Sequence, residues 1–175
     1  MNQNFTAEVP NQIGTTDVSY IKTKGGFLYL TIILDIFHRF SVGWSMSNSL
    51  RAEETSLAAL HYARQIHNPG HGVIVHSDKG SPFTCHDFRA LIERFTMVQS
   101  MNRRNCYDNS ITETFFHTLQ QELVYSERFK DKSKEECKLL LFEYIEGYYN
   151  RRRRHSALDY LPPIQFLERK SKHAS

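Results

Sequence analysis

The chain has 175 residues, enough for one ordinary domain and too few for two independent cores. Hydrophobic residues make up 40% and charged residues 23%, which excludes wholesale disorder, and the longest apolar run, around Leu30–Leu34, is far too short to span a membrane. The net charge of +3 is uneven: residues 151–175 hold seven basic and two acidic side chains, the rest fifteen and seventeen. A basic end on a nearly neutral body suits a polyanion such as nucleic acid, with a solvated tail as the plain alternative.

The first residues, MNQNFTAEVPNQIG, have no basic start followed by an apolar run, so no ordinary secretory signal is expected and the cytoplasm is the default compartment. Residues 13–21 mix β-branched and polar side chains and read as a first strand, ended by Gly25-Gly26. Residues 27–34, FLYLTIIL, are nearly all apolar, as in a strand buried on both faces. A turn at His38-Arg39 leads to a third strand over 40–47, completing an antiparallel meander. Residues 51–67 read as a helix ending before Asn68-Pro69-Gly70, and 72–76, GVIVH, as a short buried strand. A helix over 84–95 and a short strand over 97–99 follow. Ile111, Phe115, Leu119 and Leu123 make a helical stripe over 110–125. Cys137, Leu140, Leu141, Tyr144 and Tyr148 make another over 134–149, opened by a Ser133-x-x-Glu136 capping box. The pattern predicts a mixed α/β fold: a five-stranded sheet, three antiparallel strands and then two more, flanked by helices. The organisation is an extension over 1–12, a core over 13–150 and a basic segment over 151–175. Cys85, Cys106 and Cys137 are odd in number and form no C-x-x-C, so neither a disulfide framework nor a zinc site is expected.

Three acids stand apart from the Glu/Lys-rich helix faces: Asp17 inside the first strand, Asp78 just past the short apolar strand, and Glu113 in the first turn of its helix. A carboxylate in or beside a buried strand is costly unless it is paired or binds a cation. Three carboxylates from separate elements suit a hard divalent ion such as Mg²⁺. Each also has a plain reading. Asp17 could face solvent from an edge strand, Asp78 could close a turn, and Ser110-x-x-Glu113 is itself a capping box.

At these residues the chain resembles the catalytic core of bacterial insertion-sequence transposases, the DDE family whose core is shared with retroviral integrases. The matching stretches are NQIGTTDVSYI, FLYLTIILDIFHRFSVGWSMS, HSDKGS, QSMNRRNCYDNSITETFFHTLQQELV and YIEGYYNRRRRHSALDYLPPIQF, covering about Phe5 to Glu168. The resemblance implies a ribonuclease-H-like fold with Asp17, Asp78 and Glu113 as the catalytic and metal-binding triad. It implies two Mg²⁺ or Mn²⁺ ions with DNA bound, hydrolytic nicking at transposon ends, and attack of the freed 3′-hydroxyl on target DNA. The partners it implies are DNA and further copies of the chain or another transposase subunit, with no membrane and a bacterial cytoplasmic, nucleoid-associated location. Arg103, Arg104, Asn105 and Asn109, before the third acid, and Arg151, Arg152, Arg153, Arg154 and His155 are its candidate DNA contacts. For the basic run, docking on acidic core residues is the alternative. His117, one turn beyond Glu113, reads as a partly buried structural histidine.

Three departures from the family pattern bear on activity. Between Asp78 and Glu113 lie 34 residues, one fewer than usual, because a glycine is missing from Arg103-Arg104-Asn105-Cys106. Gly14 stands where the family usually has a large residue. The usual upstream DNA-binding region has no counterpart in residues 1–12. The alternatives to an active strand-transfer domain are therefore an impaired remnant that only binds DNA or an intact relative, and a ribonuclease-H-like nuclease. Convergence of Asp17, Asp78 and Glu113 on one place is the feature that separates an intact site from a disabled one.

Overall fold

The computed structural model describes residues 6–101 and 110–173. The expected meander is present: β1 (Ile13–Thr23), β2 (Gly26–Asp35) and β3 (Ser41–Ser47) pair antiparallel in sequence. β4 (Ile74–Ser77) then pairs parallel with β1, and β5 (Val98–Met101) parallel with β4. The five strands lie in the order β3-β2-β1-β4-β5, so β1 is central and the edge-strand reading of Asp17 falls.

Side-chain alternation along β2 supplies two cores. Leu28, Leu30, Ile32 and Leu34 face one side, where they meet Phe115, Phe116, Leu119, Leu141 and Ile145. Ile33 faces the other, with Ala59, Leu60 and Ala63 of α1 (Ser56–His67) and Phe88, Leu91 and Ile92 of α3 (His86–Arg94). Two-sided burial from Leu30 on is why the second half of FLYLTIIL is almost wholly apolar; at its start Phe27 is exposed and Tyr29 half-buried. Between α1 and α3, Ser81–Thr84 forms the single turn α2.

Several sequence-drawn boundaries are corrected. Residues 51–55 precede α1 as turn, because the apolar stripe that docks on the sheet starts only at Ala59 and Leu60. The helix expected over 110–125 is α4 (Ser110–Leu119) followed by a π-helical turn, Gln120–Val124. That over 134–149 is α5 (Lys134–Phe142) followed by the π-helical stretch Glu143–Tyr149. The capping box at the start of α5 is formed in both directions between Ser133 and Glu136. A further helix, α6 (Pro163–His173), adds to the elements that the sequence pattern predicts. Its weakly apolar sequence hides a real anchor: Phe166 is 9% exposed and meets the Phe37 ring at 5.6 Å, and Leu158 just upstream is 2% exposed.

Two buried polar clamps fix the β2–β3 turn. The Asp35 carboxylate accepts from the backbone N–H of Asn11 (2.6 Å) and Phe37 (2.8 Å) and bonds His38 Nδ1 at 2.7 Å. Asn150, after the π-helical stretch, accepts from the Ser41 N–H at 2.8 Å and donates to the Ser41 carbonyl at 3.3 Å. Such satisfied buried groups specify one docking of the C-terminal helices on the sheet. Gly14 lies buried in β1, where an added Cβ would meet Ile33 Cγ2 at an ordinary 3.4 Å, beside an apolar gap of about 30 Å³. The strand thus tolerates this departure from the family pattern, at the cost of slightly looser packing against α1.

Candidate catalytic carboxylates

Register brings the first two acids together. The parallel ladder between β1 and β4 ends at Thr16↔Ser77. The next residues are Asp17, still within β1, and Asp78, just past the end of β4, and strand alternation puts Asp17 on the same face as Thr15. That face is the α4 side, since Thr15, two residues before Asp17, shares a hydroxyl–hydroxyl hydrogen bond of 3.3 Å with Thr112 of α4. Thr112 precedes Glu113, so this contact sets the first turn of α4 against β1.

Each aspartate is also oriented by backbone. Asp17 is half-buried and its Oδ1 accepts from the Val18 N–H at 2.7 Å. Asp78 Oδ1 accepts from the Gly80 N–H at 2.8 Å, which is the turn of its plain reading. An ideal Cβ on Gly80 would stand 2.9 Å from that oxygen, so only glycine lets the carboxylate sit there undisturbed. Glu113 is exposed in the first turn of α4, whose N-terminal flank lies outside the described residues.

The electrostatics tie the three together. Burial pushes the Asp17 carboxyl up to about 6; the Val18 N–H opposes this, and the charges of Asp78 and Glu113 push it further. Glu113 is therefore within electrostatic reach of Asp17 despite the shortened loop. The carboxylates are not drawn into a tight cluster: among the described residues, no three His, Cys, Asp or Glu side chains are gathered closely enough to grip a metal ion by themselves.

The other candidates divide. Arg103, Arg104, Asn105 and Asn109 lie outside the described residues. Arg153 docks on the core, with its Nε 2.9 Å and 3.1 Å from the two Glu122 carboxylate oxygens. Arg151 Nε donates to the Glu146 carbonyl at 3.1 Å. Arg152 and Arg154 are exposed. Burial, Arg153 and Arg39 lower the pKa of His155 to about 4, so it is uncharged at neutral pH. His117 is exposed on the same side of α4 as Glu113, not partly buried as the sequence suggests, because the core of α4 is already filled by Thr112, Phe115, Phe116 and Leu119. Among the described residues no helix is long and apolar enough to cross a membrane.

Comparison with known proteins gives the family and the fold. An integrase core domain model matches residues 7–106, and a second integrase core domain model matches residues 113–170. A transposase of insertion sequence element IS904 from Lactococcus lactis is 39% identical over 167 residues, which is 95% of this chain and 65% of that protein. Transposase InsF of insertion sequence IS3A from Escherichia coli is 38% identical over 95% of this chain and 57% of its own length. The chain thus spans about three fifths of these relatives. Among solved structures, the HTLV-2 integrase catalytic core in complex with magnesium superposes with a TM-score of 0.65 at 15% identity, covering 93% of this chain and 99% of that one. A simian T-cell lymphotropic virus intasome chain gives 0.74 at 14% identity, covering 92% and 55%. The fold is that of the integrase cores, ribonuclease-H-like. The chain belongs to the integrase core domain family, and over nearly all its length it is similar to insertion-sequence transposases.

Proposed function

We propose that the chain is the catalytic domain of a DNA transposase, with Asp17, Asp78 and Glu113 as its working carboxylates. The observation that carries this reading is the placement of the three acids: strand register sets Asp17 of β1 beside the β4 end that leads into Asp78, and the Thr15–Thr112 bond holds the first turn of α4, with Glu113, against β1. All-oxygen donors with uncompensated negative charge suit a hard divalent cation, and the three would hold Mg²⁺ or Mn²⁺. Such ions, two of them with DNA bound, supply charge neutralisation at the scissile phosphate and activation of the attacking water or 3′-hydroxyl. The chain's own part is positioning: the Val18 and Gly80 N–H groups aim the aspartates, and the Thr15–Thr112 contact sets α4 against them. The reactions are hydrolytic nicking at an element end and attack of the freed 3′-hydroxyl on target DNA. Within the basic run, Arg152 and Arg154 are the side chains left to meet phosphates. Self-association rests on likeness to the HTLV-2 core, described in a dimeric form. The test is nicking of supercoiled plasmid with Mn²⁺. Nicked product that EDTA abolishes is expected; no product at any Mn²⁺ concentration would leave only DNA binding.

Gly80 offers a sharper check on Asp78. Its φ of −58° suits alanine, so Gly80→Ala is expected to keep or slightly raise the unfolding midpoint. The new methyl displaces the Asp78 carboxylate, and Mn²⁺ affinity by calorimetry is expected to fall about tenfold.

A further inference from the structure

Beside α4 lies a cavity of about 320 Å³ that the carboxylate chemistry does not use. Its wall includes Arg39, Arg153 and His155 on one side and Ser110, Thr114 and Thr118 of α4 on the other. At 100° per residue, the Ser110-Thr114-Thr118 stripe lies about a quarter turn around α4 from Glu113 and His117. Both stripes are on the outward half of the helix, so one nucleic acid strand crossing α4 can meet both.

Arg39 is the unusual member. It sits in the β2–β3 turn with φ 59°, a left-handed conformation that favours glycine or asparagine. It is half-buried, and burial lowers its pKa even though Asp35 and Tyr149 work against that. Asp35, its nearest acid, is already engaged by His38 and by the Asn11 and Phe37 N–H groups. Among the described residues, no hydrogen-bond acceptor serves the Arg39 guanidinium. Arg153, by contrast, is matched by Glu122. A half-desolvated guanidinium without an acceptor, facing a cavity, is a site prepared for an anion. Its planar fork suits phosphate oxygens. The Thr114 hydroxyl is turned back onto the Ser110 carbonyl at 2.6 Å, which leaves Arg39 as the main donor.

We propose that this cavity binds a backbone phosphate of DNA, through Arg39 with the Thr118 hydroxyl beside it, separately from the carboxylate site. The proposal rests on the reading that the chain acts on DNA. It makes Arg39 a DNA-binding residue, which its place in a turn between two strands gives no reason to suspect.

The test is binding of a fluorescein-labelled duplex of arbitrary sequence, followed by anisotropy in EDTA across a salt series. EDTA removes any contribution from cations held by the carboxylates. Arg39→Gln is expected to weaken binding about tenfold and to lower the slope of log affinity against log salt by about one. Arg39→Lys keeps the charge and is expected to keep the slope while losing part of the affinity. Thr114→Glu, on an exposed helical position, puts a negative charge at the cavity mouth and is expected to weaken binding at least as much as Arg39→Gln. It decides the matter if Arg39→Gln does not fold. Wild-type affinity and slope in Thr114→Glu and in folded Arg39→Gln would overturn the site while leaving the DNA reading intact. No binding by the wild-type protein would overturn both.

Discussion

Asp17→Asn, Asp78→Asn and Glu113→Gln are each expected to lower Mn²⁺-dependent nicking more than about a hundredfold, because removing a charged ligand costs more than disturbing its support. All three exchanges conserve shape, and the local structure accommodates each. Asp78→Asn keeps a carbonyl-type oxygen to accept the Gly80 N–H now bonded at 2.8 Å. Asp17→Asn does the same for the Val18 N–H. Glu113 is exposed and Gln is as good a helix former, so the exchange costs the helix little. Far-UV circular dichroism and unfolding midpoints are therefore expected to match or exceed those of the wild type. Full activity in Asp78→Asn would end the catalytic reading. Full activity in Glu113→Gln alone would mean that the shortened loop has taken the third acid out of use.

The variants discriminate because the acids come from three elements whose relative placement depends on different contacts. Asp17 and Asp78 are neighbours by strand register, which a loop deletion elsewhere does not move. Glu113 depends on α4, which is held by Phe115, Phe116 and Leu119 in the core and by the Thr15–Thr112 bond. Core contacts of this size, roughly 2 kcal/mol for each fully buried large apolar side chain, outweigh the preferences of one loop residue. That is why a missing glycine near Asn105 need not rotate the helix.

What can be read from the sequence follows from which signals are local. Strand alternation, the apolar run 27–34 and the helical stripes of α4 and α5 are visible in a few residues and reappear in the fold, except that β2 is buried on both faces only from Leu30 on and that Phe27 and Tyr148 are exposed. The placement of Asp17 and Asp78 beside each other is legible only through the family resemblance, since parallel pairing of β1 with β4 joins segments about sixty residues apart. α6 leaves no mark in the pattern because its burial depends on Phe166 meeting Phe37 across the molecule, and one aromatic in a charged helix makes no stripe. Asp35, 2% exposed, is equally unmarked because its partners are backbone N–H groups and His38, in a turn with no distinctive spacing. Arg39 is hidden for the same reason: its interest lies in what fails to surround it, and a sequence does not show vacant neighbourhoods.

The pH dependence of stability is expected to expose the burial of the Asp17 carboxylate without any DNA. An acid whose folded pKa is raised binds its proton more tightly in the folded state. Asp17 rises from 3.8 to about 6, so below about pH 3 it is protonated folded and unfolded and brings no penalty. As pH climbs from about 4 to about 6, the unfolded chain ionises first and the fold loses stability. Above pH 6 the loss is constant, about 1 to 3 kcal/mol after allowing for partial solvent exposure. Asp17→Asn removes this term alone. Urea unfolding of the two proteins should thus coincide at about pH 3 and diverge to that extent by about pH 7.5, with the variant more stable. Saturating Mn²⁺ reverses the order at pH 7.5, because the cation offsets the repulsion in the wild type and finds one ligand fewer in the variant. The same competition makes wild-type Mn²⁺ affinity fall below pH 6, by about tenfold per unit, as the proton displaces the ion. Equal urea stability of the two proteins at pH 7.5 would show that Asp17 is not buried against Asp78 and Glu113, and the electrostatic basis for the catalytic assignment would go with it.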